Sequence, residues 1–595
     1  MIVEAPLTTS SVRKIWDLLS VDERRKTLFL FVLMLVGTAL EMLGIGLVVP
    51  ALAVITQPSY LSRFPWMVSL LERFGNPSQD NLVIGGMFVL VAIYAIKATF
   101  FSFFSWYQFR LAYGLRVAWS RKLFTIYLLQ PYTFHLQRNS AQLLHNISTQ
   151  IDNFTSSIFL PAILALVEVL VFVGIGTMLL IVQPLGTLVL VSILLTLGLL
   201  FHRLTRRTLL RWGEAAQFHE GLRFQHLLQG LGGAKDVKLL GREAEFIDQF
   251  SVHAVAGSRI AQRQSTLQQM PRLWLELLAV VGLAALVLVL IAQGQALLAI
   301  LPTLGMFSAA AFRLLPGVNR ILVTSQVLRF GTPVIENLHA EFALAVPQIP
   351  ARAVRKVGFQ NALELRDVSY TYAGAREPAL ELVSLSIRRG ECVGFVGSSG
   401  AGKTTLVDIL LGLLVPSGGA VSADGEDISR DPRQWQDQIG YVPQSIYLTD
   451  DSLRRNVAFG LPDVRIDEAT VRRALHAAQL DEFVESLPDG IATVVGERGV
   501  RLSGGQRQRI GIARALYHDP SVLVLDEATS ALDSATERGV MDSVQKLQGT
   551  KTIIIVAHRM STVQHCDRLY RLEKGRLLDT DMATEMRRPL EEKTS

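Results

Sequence analysis

The sequence predicts a membrane α-helical bundle of six transmembrane helices, followed by an α/β domain with a phosphate-binding loop. The chain has 595 residues, of which 50% are hydrophobic and only 18% are charged. Its long apolar stretches lie in the first 330 residues, and its glycine-rich motifs of the α/β type lie after residue 390. This composition is more apolar than that of an average globular protein, and it excludes disordered and collagen-like chains.

Six apolar stretches reach or approach the roughly 20 residues that a helix needs to cross about 30 Å of hydrocarbon. They cover residues 28–55, 82–107, 158–182, 185–201, 273–293 and 297–321. Lys and Arg are abundant before the first stretch and in the second and fourth connections, whereas the third and fifth connections carry none. By the positive-inside rule we therefore expect the N-terminus and the C-terminal half to be cytoplasmic.

Charge and cysteine content exclude two further classes. The two cysteines, Cys392 and Cys566, are too few for a disulfide framework and indicate a reducing compartment. The net charge of +6 is explained by the basic connections of the membrane helices, so we expect no nucleic-acid partner.

The pattern of the chain changes between residues 340 and 356, where Pro347 and Pro350 are followed by basic residues. We predict a transmembrane domain over residues 1–340, a linker over 341–357 and an α/β domain over 358–595. In the last of these, short apolar runs such as CVGFVG, SVLVLDE and KTIIIVAH alternate with longer helical stretches, which is typical of a parallel sheet with crossover helices.

Residues 397–404, GSSGAGKT, form the pattern of a phosphate-binding loop between a predicted strand (393–396) and a predicted helix (405–414). The glycines let backbone N–H groups face a phosphate, the lysine reaches the terminal phosphates, and the first threonine offers its hydroxyl to Mg²⁺. The candidate nucleotide contacts are Gly397, Ser398, Ser399, Gly400, Ala401, Gly402, Lys403, Thr404 and Thr405.

Two acidic residues follow the apolar run VLVL at 522–525. Asp526 stands where a strand end can place a carboxylate beside the metal ion. Glu527 comes directly after it and is positioned to orient or deprotonate an attacking water.

A second glycine-rich turn, LSGGQ at 502–506, leads into another helix and predicts a second anion site. With this motif the chain resembles the ATP-binding cassette (ABC) family. In that family the LSGGQ segment of one cassette closes on ATP that is held by the phosphate-binding loop of another. The resemblance implies ATP and Mg²⁺ as cofactors and a homodimer, with Ser503, Gly504, Gly505 and Gln506 facing the partner's ATP.

Other positions match the motifs of the same family over residues 363–575. The resemblance assigns adenine stacking to Tyr372, Mg²⁺ sensing to Gln444, and the switch histidine to His558. It also places Asp533 in the loop that pairs the two cassettes and Glu497 in the loop near the coupling helices.

Membrane helices fused to one cassette resemble the exporter architecture, in which ATP hydrolysis is coupled to transport. The resemblance implies short coupling helices near residues 137–151 and 230–241. It also implies that ATP closes the cassettes and opens the bundle outward, and that hydrolysis resets it.

Charged side chains within the apolar stretches are candidates for substrate contacts, because they are costly there. Lys97, Arg272 and Arg313 would suit an anionic headgroup such as a pyrophosphate. Two interpretations stay open. In the first, Lys97 pairs with Glu41 or Glu168 and Arg272 pairs with Glu276; in the second, these cations contact substrate. For Arg320 we favour a side chain that simply extends to the membrane interface.

Phe64, Met67, Leu71 and Phe74 recur at helical spacing in the first external connection and predict an amphipathic surface helix. With this feature, and with MPRLWLE, FRLLPGVNR and PQSIYLTDDSLRRNVAFG, the chain resembles the lipid-linked oligosaccharide flippases of bacterial protein N-glycosylation (PglK-type). The resemblance implies ATP-driven flipping of a polyprenyl-pyrophosphate-linked oligosaccharide across the bacterial inner membrane, and it makes Arg272, Arg313 and the position of Lys97 pyrophosphate contacts. At Lys97 the flippase pattern has Arg.

A lipid or multidrug exporter of the same fold is the alternative hypothesis, and a multidrug exporter would have a cavity that is mostly apolar and aromatic. A peptide exporter with its own protease is disfavoured, because residues 1–391 contain no cysteine to act as a nucleophile.

Overall fold

The structure is a computed structural model that describes residues 7–56, 79–182, 184–292, 297–346, 359–528, 534–557 and 559–578. The chain divides into two compact units. The first comprises Met1–Gln130 and Gln137–Pro347, and the second comprises Pro131–Leu136 and Gln348–Ser595.

The described elements of the N-terminal half are all helices, joined by short turns. Its α-helices are, in chain order, α1 (Leu7–Leu18), α2 (Val21–Thr56), α3 (Gln79–Leu128), α4 (Tyr132–Gln137), α5 (Ser140–His145), α6 (Ile151–Asn153), α7 (Leu160–Val182), α8 (Pro184–Gly232), α9 (Ala234–Leu240), α10 (Glu243–Ala292), α11 (Leu297–Phe330) and α12 (Thr332–Phe342).

The predicted apolar stretches lie on the long helices α2, α3, α7, α8, α10 and α11. Among the described residues, three helical segments are long and apolar enough to cross a membrane, namely Val21–Gly44, Val83–Leu128 and Ser140–Thr177. The helices α3, α8 and α10 continue well past their apolar part. The short helix α9 falls within the predicted segment 230–241, and the predicted amphipathic helix at 64–74 lies outside the described residues.

Between α5 and α7 the chain departs from α-helical winding twice. Asn146–Gln150 and Phe154–Phe159 are π-helical, with α6 between them. The Asn146 side chain donates to the Tyr127 hydroxyl (3.1 Å) and accepts from Asn337 (3.0 Å), and the Tyr127 hydroxyl donates to the Glu341 carboxylate (2.9 Å). This buried hydrogen-bond network connects the first π-helical turn to α3 and α12.

The second unit contains two sheets. Their strands are β1 (Ala362–Tyr370), β2 (Leu380–Arg388), β3 (Cys392–Val396), β4 (Gly418–Ala423), β5 (Glu426–Asp427), β6 (Ile439–Val442), β7 (Val522–Asp526), β8 (Thr552–Val556), β9 (Arg568–Glu573) and β10 (Arg576–Leu578). The four-stranded sheet has the order β2-β1-β4-β5 and is antiparallel. The six-stranded sheet has the order β10-β9-β3-β8-β7-β6, and it is parallel except for β10.

The helices of this unit connect and cover the strands. They are α13 (Lys403–Leu410), α14 (Pro432–Gln436), α15 (Leu453–Val457), α16 (Glu468–Ala477), α17 (Asp481–Ser486), α18 (Gly504–Leu516), α19 (Ser534–Gln545) and α20 (Met560–Val563). The predicted bounds of α13, residues 405–414, were wrong at both ends. The helix begins at the loop lysine, and it ends early because Gly412 takes a left-handed conformation (φ +67°) just past it.

The buried central strands of the parallel sheet determine where the candidate nucleotide site lies. All five residues of β3, β7 and β8 are buried. Val556 of β8 pairs with Phe395 of β3 on one side and with Asp526 of β7 on the other. The carboxyl ends of β3 and β7 therefore lie at one edge of the sheet, two strand spacings or roughly 10 Å apart.

Candidate nucleotide site

The loop between β3 and α13 takes a conformation that glycine alone accepts without strain. Gly402 has φ +102°, and a Cβ there would lie 2.6 Å from the carbonyl oxygen of Ala379. Gly400 also has positive φ (+78°). The loop thus delivers the chain to the N-terminus of α13, where unpaired backbone N–H groups attract an anion.

Lys403 lies over this loop. Its Nζ donates to the carbonyl oxygens of Gly397 (2.9 Å) and Ser398 (3.1 Å). Burial lowers the pKa of this ammonium, and the nearby carboxylates of Glu527 and Asp526 act in the opposite direction. The Lys403 ammonium group therefore contacts the carbonyl oxygens of the loop and is stabilised in its charged form by the two carboxylates.

The remaining predicted contacts differ in exposure. Ser398, Ser399, Gly400 and Thr404 are exposed, whereas Ala401 and Thr405 are buried. The exposed groups are available to a bound phosphate or metal ion. The buried pair anchors the loop.

Tyr372 lies beside the first turn of α13. Its hydroxyl is 3.1 Å from the Thr405 hydroxyl, and its ring meets that of Tyr370 edge-on at 5.0 Å. The structure therefore brings the predicted adenine-stacking residue to the phosphate-binding helix.

The two acidic residues at the end of β7 have different surroundings. Asp526 is only 5% exposed and accepts a 3.4 Å hydrogen bond from the Tyr441 hydroxyl. Glu527 has a left-handed backbone (φ +50°), and its carboxylate accepts a 2.8 Å hydrogen bond from the side-chain amide of Gln444. A non-glycine residue in this conformation stores strain, which is typical of functional sites. Gln444 and Glu527, 83 residues apart in the chain, are thus brought into direct contact.

The LSGGQ segment forms the N-terminus of α18. Ser503 is the N-cap: its hydroxyl accepts from the Gln506 N–H (3.2 Å), and the Gln506 side chain accepts from the Ser503 N–H (2.8 Å). This capping box pre-forms a helix end that attracts an anion. α18 packs against β6, α15 and α16. The LSGGQ segment is therefore positioned by other elements than the phosphate-binding loop, which lies between β3 and α13.

Three functional candidates escaped the sequence analysis. Burial, and then the charge of Asp526, raises the pKa of Asp408 on α13 to about 6. Tyr441 donates to Asp526, as described above. Arg514 of α18 donates to the carbonyl oxygens of Asn456 (2.8 Å) and Tyr447 (2.7 Å), and it fastens the segment after Gln444 to the helix that begins with LSGGQ. No local pattern marks any of these contacts.

Some predicted residues lie outside the described part of the chain. They are Asp533 and His558. Glu497 is described, and it is exposed at the start of a short turn in which Arg498 has φ +52°.

The candidate substrate cations have carboxylate neighbours. Lys97 lies 2.7 Å from Glu41, with the two side chains 18% and 7% exposed, and Arg272 donates to Glu276 one turn along α10 (2.9 Å). Both contacts were among the structural alternatives predicted for these residues. Arg313 lies on α11, and its side chain is outside the described residues.

Arg320 also has a partner. It donates to the buried carboxylate of Glu168 on α7 (2.7 Å). Gly317 makes this approach possible, because a Cβ there would lie 2.7 Å from the same carboxylate. Arg320 is thus paired with Glu168, a partner that the sequence analysis did not assign to it.

Comparison with known proteins gives the same architecture. The family model described as "ABC transporter transmembrane region" matches residues 28–315, and that described as "ABC transporter" matches residues 380–530. The chain is 32% identical to the ATP-dependent lipid A-core flippase of Thiobacillus denitrificans, over 91% of this chain and 92% of that protein. It is 33% identical to the protein of the same name from Alkalilimnicola ehrlichii, over 77% and 75% of the two chains.

A solved structure shares the fold. It is that of a bacterial Atm1-family ABC exporter with ATP bound, with a TM-score of 0.77, 22% identity, and coverage of 95% of this chain and 96% of that one. The match confirms the predicted fold class, a helical membrane domain followed by an α/β nucleotide-binding domain.

The apolar helices and the membrane-region match indicate a multi-pass membrane protein, and the match to the cassette indicates ATP binding. The chain therefore belongs to the ABC transporter family, as an exporter-type half-transporter that couples ATP hydrolysis to transport.

Proposed function

We propose that the chain is an ATP-driven flippase of the bacterial inner membrane whose substrate is a polyprenyl-pyrophosphate-linked oligosaccharide used for protein glycosylation. The observation that carries this proposal is the ion pair of Lys97 and Glu41, which lies within two apolar helices. Charged groups at membrane depth are costly and default to functional candidates. A transporter of uncharged apolar compounds has no need of them.

The Lys97 ammonium can contact an anionic headgroup while it stays paired with Glu41. The Lys97 ammonium is more exposed than the Glu41 carboxylate, so a pyrophosphate can approach it without displacing the packed glutamate. A pyrophosphate brings more charge than one carboxylate, and it can contact the cation while Glu41 remains. Arg272 and Arg313 complete the proposed set, and Arg272 is held by an exposed partner that is easily replaced.

The relatives support a lipid substrate. They are named lipid A-core flippases, and the chain matches the first over nearly its whole length. We extend to this chain the orientation that places the N-terminus and the cassette in the cytoplasm, and the assembly of two copies. In the homodimer the segment at Ser503 of one cassette would face the ATP on the other.

Within each composite site we propose Glu527 as the general base, with Gln444 and His558 as catalytic partners and Asp533 at the cassette interface. Thr404, Gln444 and Asp526 would hold Mg²⁺. The hydroxyl, amide and carboxylate oxygens of this set are the ligands that Mg²⁺ prefers, and the buried Asp526 carboxylate is placed to meet a cation. When bound, the ion supplies charge neutralisation to the phosphates.

The alternative function is export of other lipids or of drugs. The relatives favour it, because they are named for a different lipid, lipid A-core. Charge reversal at Arg313 with undiminished transport would support this alternative.

The test is reconstitution of the full-length protein in liposomes that carry a fluorescent polyprenyl-pyrophosphate oligosaccharide. ATP-dependent loss of label from one leaflet, absent in Glu527→Gln, is the expected result. Parallel liposomes carry labelled lipid A-core or a neutral drug. Movement of these alone would replace the glycan with another substrate, and ATP hydrolysis without any movement would refute all three substrates.

A separate variant tests the headgroup contact. We expect Arg313→Ala to keep basal ATP hydrolysis and to lose transport of the pyrophosphate lipid. Arg203→Ala, which removes an exposed arginine outside the proposed set, is the control. An equal loss of hydrolysis and transport in Arg313→Ala would indicate a structural role.

A further inference from the structure

A small polar cavity lies between α8 and α11. It is lined by His202 and Arg206 from α8 and by Ser325, Gln326 and Arg329 from α11, with leucine and phenylalanine side chains around them. Its volume of about 10 Å³ is enough for one water-sized group. The cavity therefore takes a single oxygen atom, with any larger group at its mouth.

Gln326 has unmet hydrogen-bonding capacity at this cavity. Its side chain is only 3% exposed, and neither its amide nitrogen nor its amide oxygen has a hydrogen-bond partner among the described residues. A buried amide without a partner loses the hydrogen bonds that it would make in water, and this destabilises the folded state. A ligand oxygen in the cavity would accept from the amide nitrogen and remove that cost.

The cavity is also positively charged. Within the described residues, neither Arg206 nor Arg329 has a carboxylate within ion-pair distance, and the buried Nε of Arg329 has no partner. Burial, and then the charge of Arg206, lowers the pKa of Arg329. Lys97, Arg272 and Arg320, by contrast, each have a glutamate. The two guanidinium groups therefore repel each other, and an anion would relieve that repulsion.

The histidine at the cavity does not supply an alternative counter-charge. His202 Nδ1 lies 2.9 Å from the Ser325 hydroxyl. Burial, and then the charges of Arg329 and Arg206, lowers its pKa. It is therefore a neutral hydrogen-bonding group at pH 7, and it does not compete with the arginines for an anion.

The depth of the cavity fits a lipid headgroup. Arg206 lies five residues past the end of the predicted stretch 185–201, and Gln326 lies five residues past the end of 297–321. At 1.5 Å per residue, both are about 7.5 Å beyond the hydrocarbon. The headgroup layer of one leaflet extends about 5–7.5 Å from the hydrocarbon, so Arg206 and Gln326 lie at its outer edge. Arg329, eight residues past the end of 297–321, starts about 12 Å out, and its long side chain reaches back along the helix to the cavity.

We propose that the cleft formed by Arg206, Gln326 and Arg329 binds a phosphate group, supplied by an anionic membrane lipid. One phosphate oxygen enters the cavity toward the Gln326 amide, and the two guanidinium groups flank the others. The site is separate from the proposed transport contacts and does not depend on which lipid is transported.

The experiment titrates phosphatidylglycerol onto the full-length protein in neutral detergent and counts bound lipid by native mass spectrometry. Arg206→Gln and Arg329→Gln should each weaken binding about tenfold, which corresponds to about 1.4 kcal/mol. Arg203→Gln removes an exposed arginine one turn from Arg206 that does not line the cavity, and it should change binding less than twofold. Arg206→Lys, which keeps the charge, should recover part of the affinity.

Inorganic phosphate distinguishes the two sources of the group. If phosphate alone raises the melting temperature of the wild type but not of Arg206→Gln, the site takes free phosphate; if only phosphatidylglycerol does so, it takes the lipid headgroup. Equal losses in Arg203→Gln and Arg206→Gln would mean general surface attraction and would overturn the proposal. Unchanged binding in Arg206→Gln and Arg329→Gln, with wild-type ATP hydrolysis as the check on folding, would overturn it too.

Discussion

Arg514 offers the sharpest test of how the cassette is held together. Its guanidinium group donates to the carbonyl oxygens of Asn456 and Tyr447 and to the Asn456 side chain (3.2 Å), and it lies over the ring of Phe459 at 4.5 Å. The substitution Arg514→Ala removes all four contacts. It also leaves two carbonyl oxygens without their donor.

The size of the effect follows from these contacts. Two charge-assisted hydrogen bonds to carbonyl oxygens contribute about 3–6 kcal/mol together. Burial of the guanidinium group, which lowers its pKa to about 10, offsets part of this. We therefore expect a loss of about 3 kcal/mol, and since each kcal/mol shifts the melting temperature of a domain of this size by about 2–4 °C, a decrease of about 6–12 °C.

The assay is thermal unfolding of the full-length protein in detergent, followed by tryptophan fluorescence, to which the buried Trp435 contributes from the cassette. Arg472→Ala removes an exposed arginine of α16 and serves as the control, with an expected change within about 0.5 kcal/mol. Arg514→Lys should fall between the two, because an ammonium lacks the fork that reaches two carbonyls. Equal melting temperatures for Arg514→Ala and Arg472→Ala would refute the reasoning.

Three further predictions concern the nucleotide site. Glu527→Gln should retain ATP binding and lower ATP turnover about 10²–10⁴-fold, because it keeps the shape of the side chain and removes the base; near-normal hydrolysis would contradict the assignment. Gly402→Ala should abolish binding of a fluorescent ATP analogue, because its Cβ would meet a carbonyl oxygen at 2.6 Å, and Gly549→Ala, with similar positive φ but open space, is the control. The raised folded pKa of Asp408, about 6 against 3.8, means that its contribution to stability is full below pH 4 and is lost as pH rises through 6. Asp408→Asn should therefore raise the melting temperature at pH 7.5 and leave it unchanged at pH 4.

Local patterns in the sequence predicted which strands end at the edge of the sheet where the candidate site lies, and the roles of the individual residues there stay predictions. The apolar stretches of the sequence that form β3 and β7 are each followed by a functional motif. The phosphate-binding loop follows β3, and β7 ends at Asp526. A parallel sheet brings such ends to one edge, so their proximity followed from the fold class. Lys403 and Glu527 then lie where the patterns placed them.

Contacts between distant segments could not be predicted in the same way. Arg514 and Asn456 are 58 residues apart, and nothing in either segment indicates the other. For Lys97 the sequence offered Glu41 and Glu168 as partners, because the choice depends on how three helices are rotated about their axes. The structure pairs it with Glu41, and gives Glu168 to Arg320.

The π-helical turns at Asn146–Gln150 and Phe154–Phe159 hold more residues than α-helical turns of the same height. Each such turn closes its hydrogen bonds one residue further along than an α-turn does, so it stores one residue of surplus length. One extra residue shifts the faces that the following residues present by about 100°, relative to an uninterrupted α-helix. The two π-helical turns therefore set which face of α7 carries Glu168, and the Asn146 contacts to Tyr127 and Asn337 fix the point from which this offset begins.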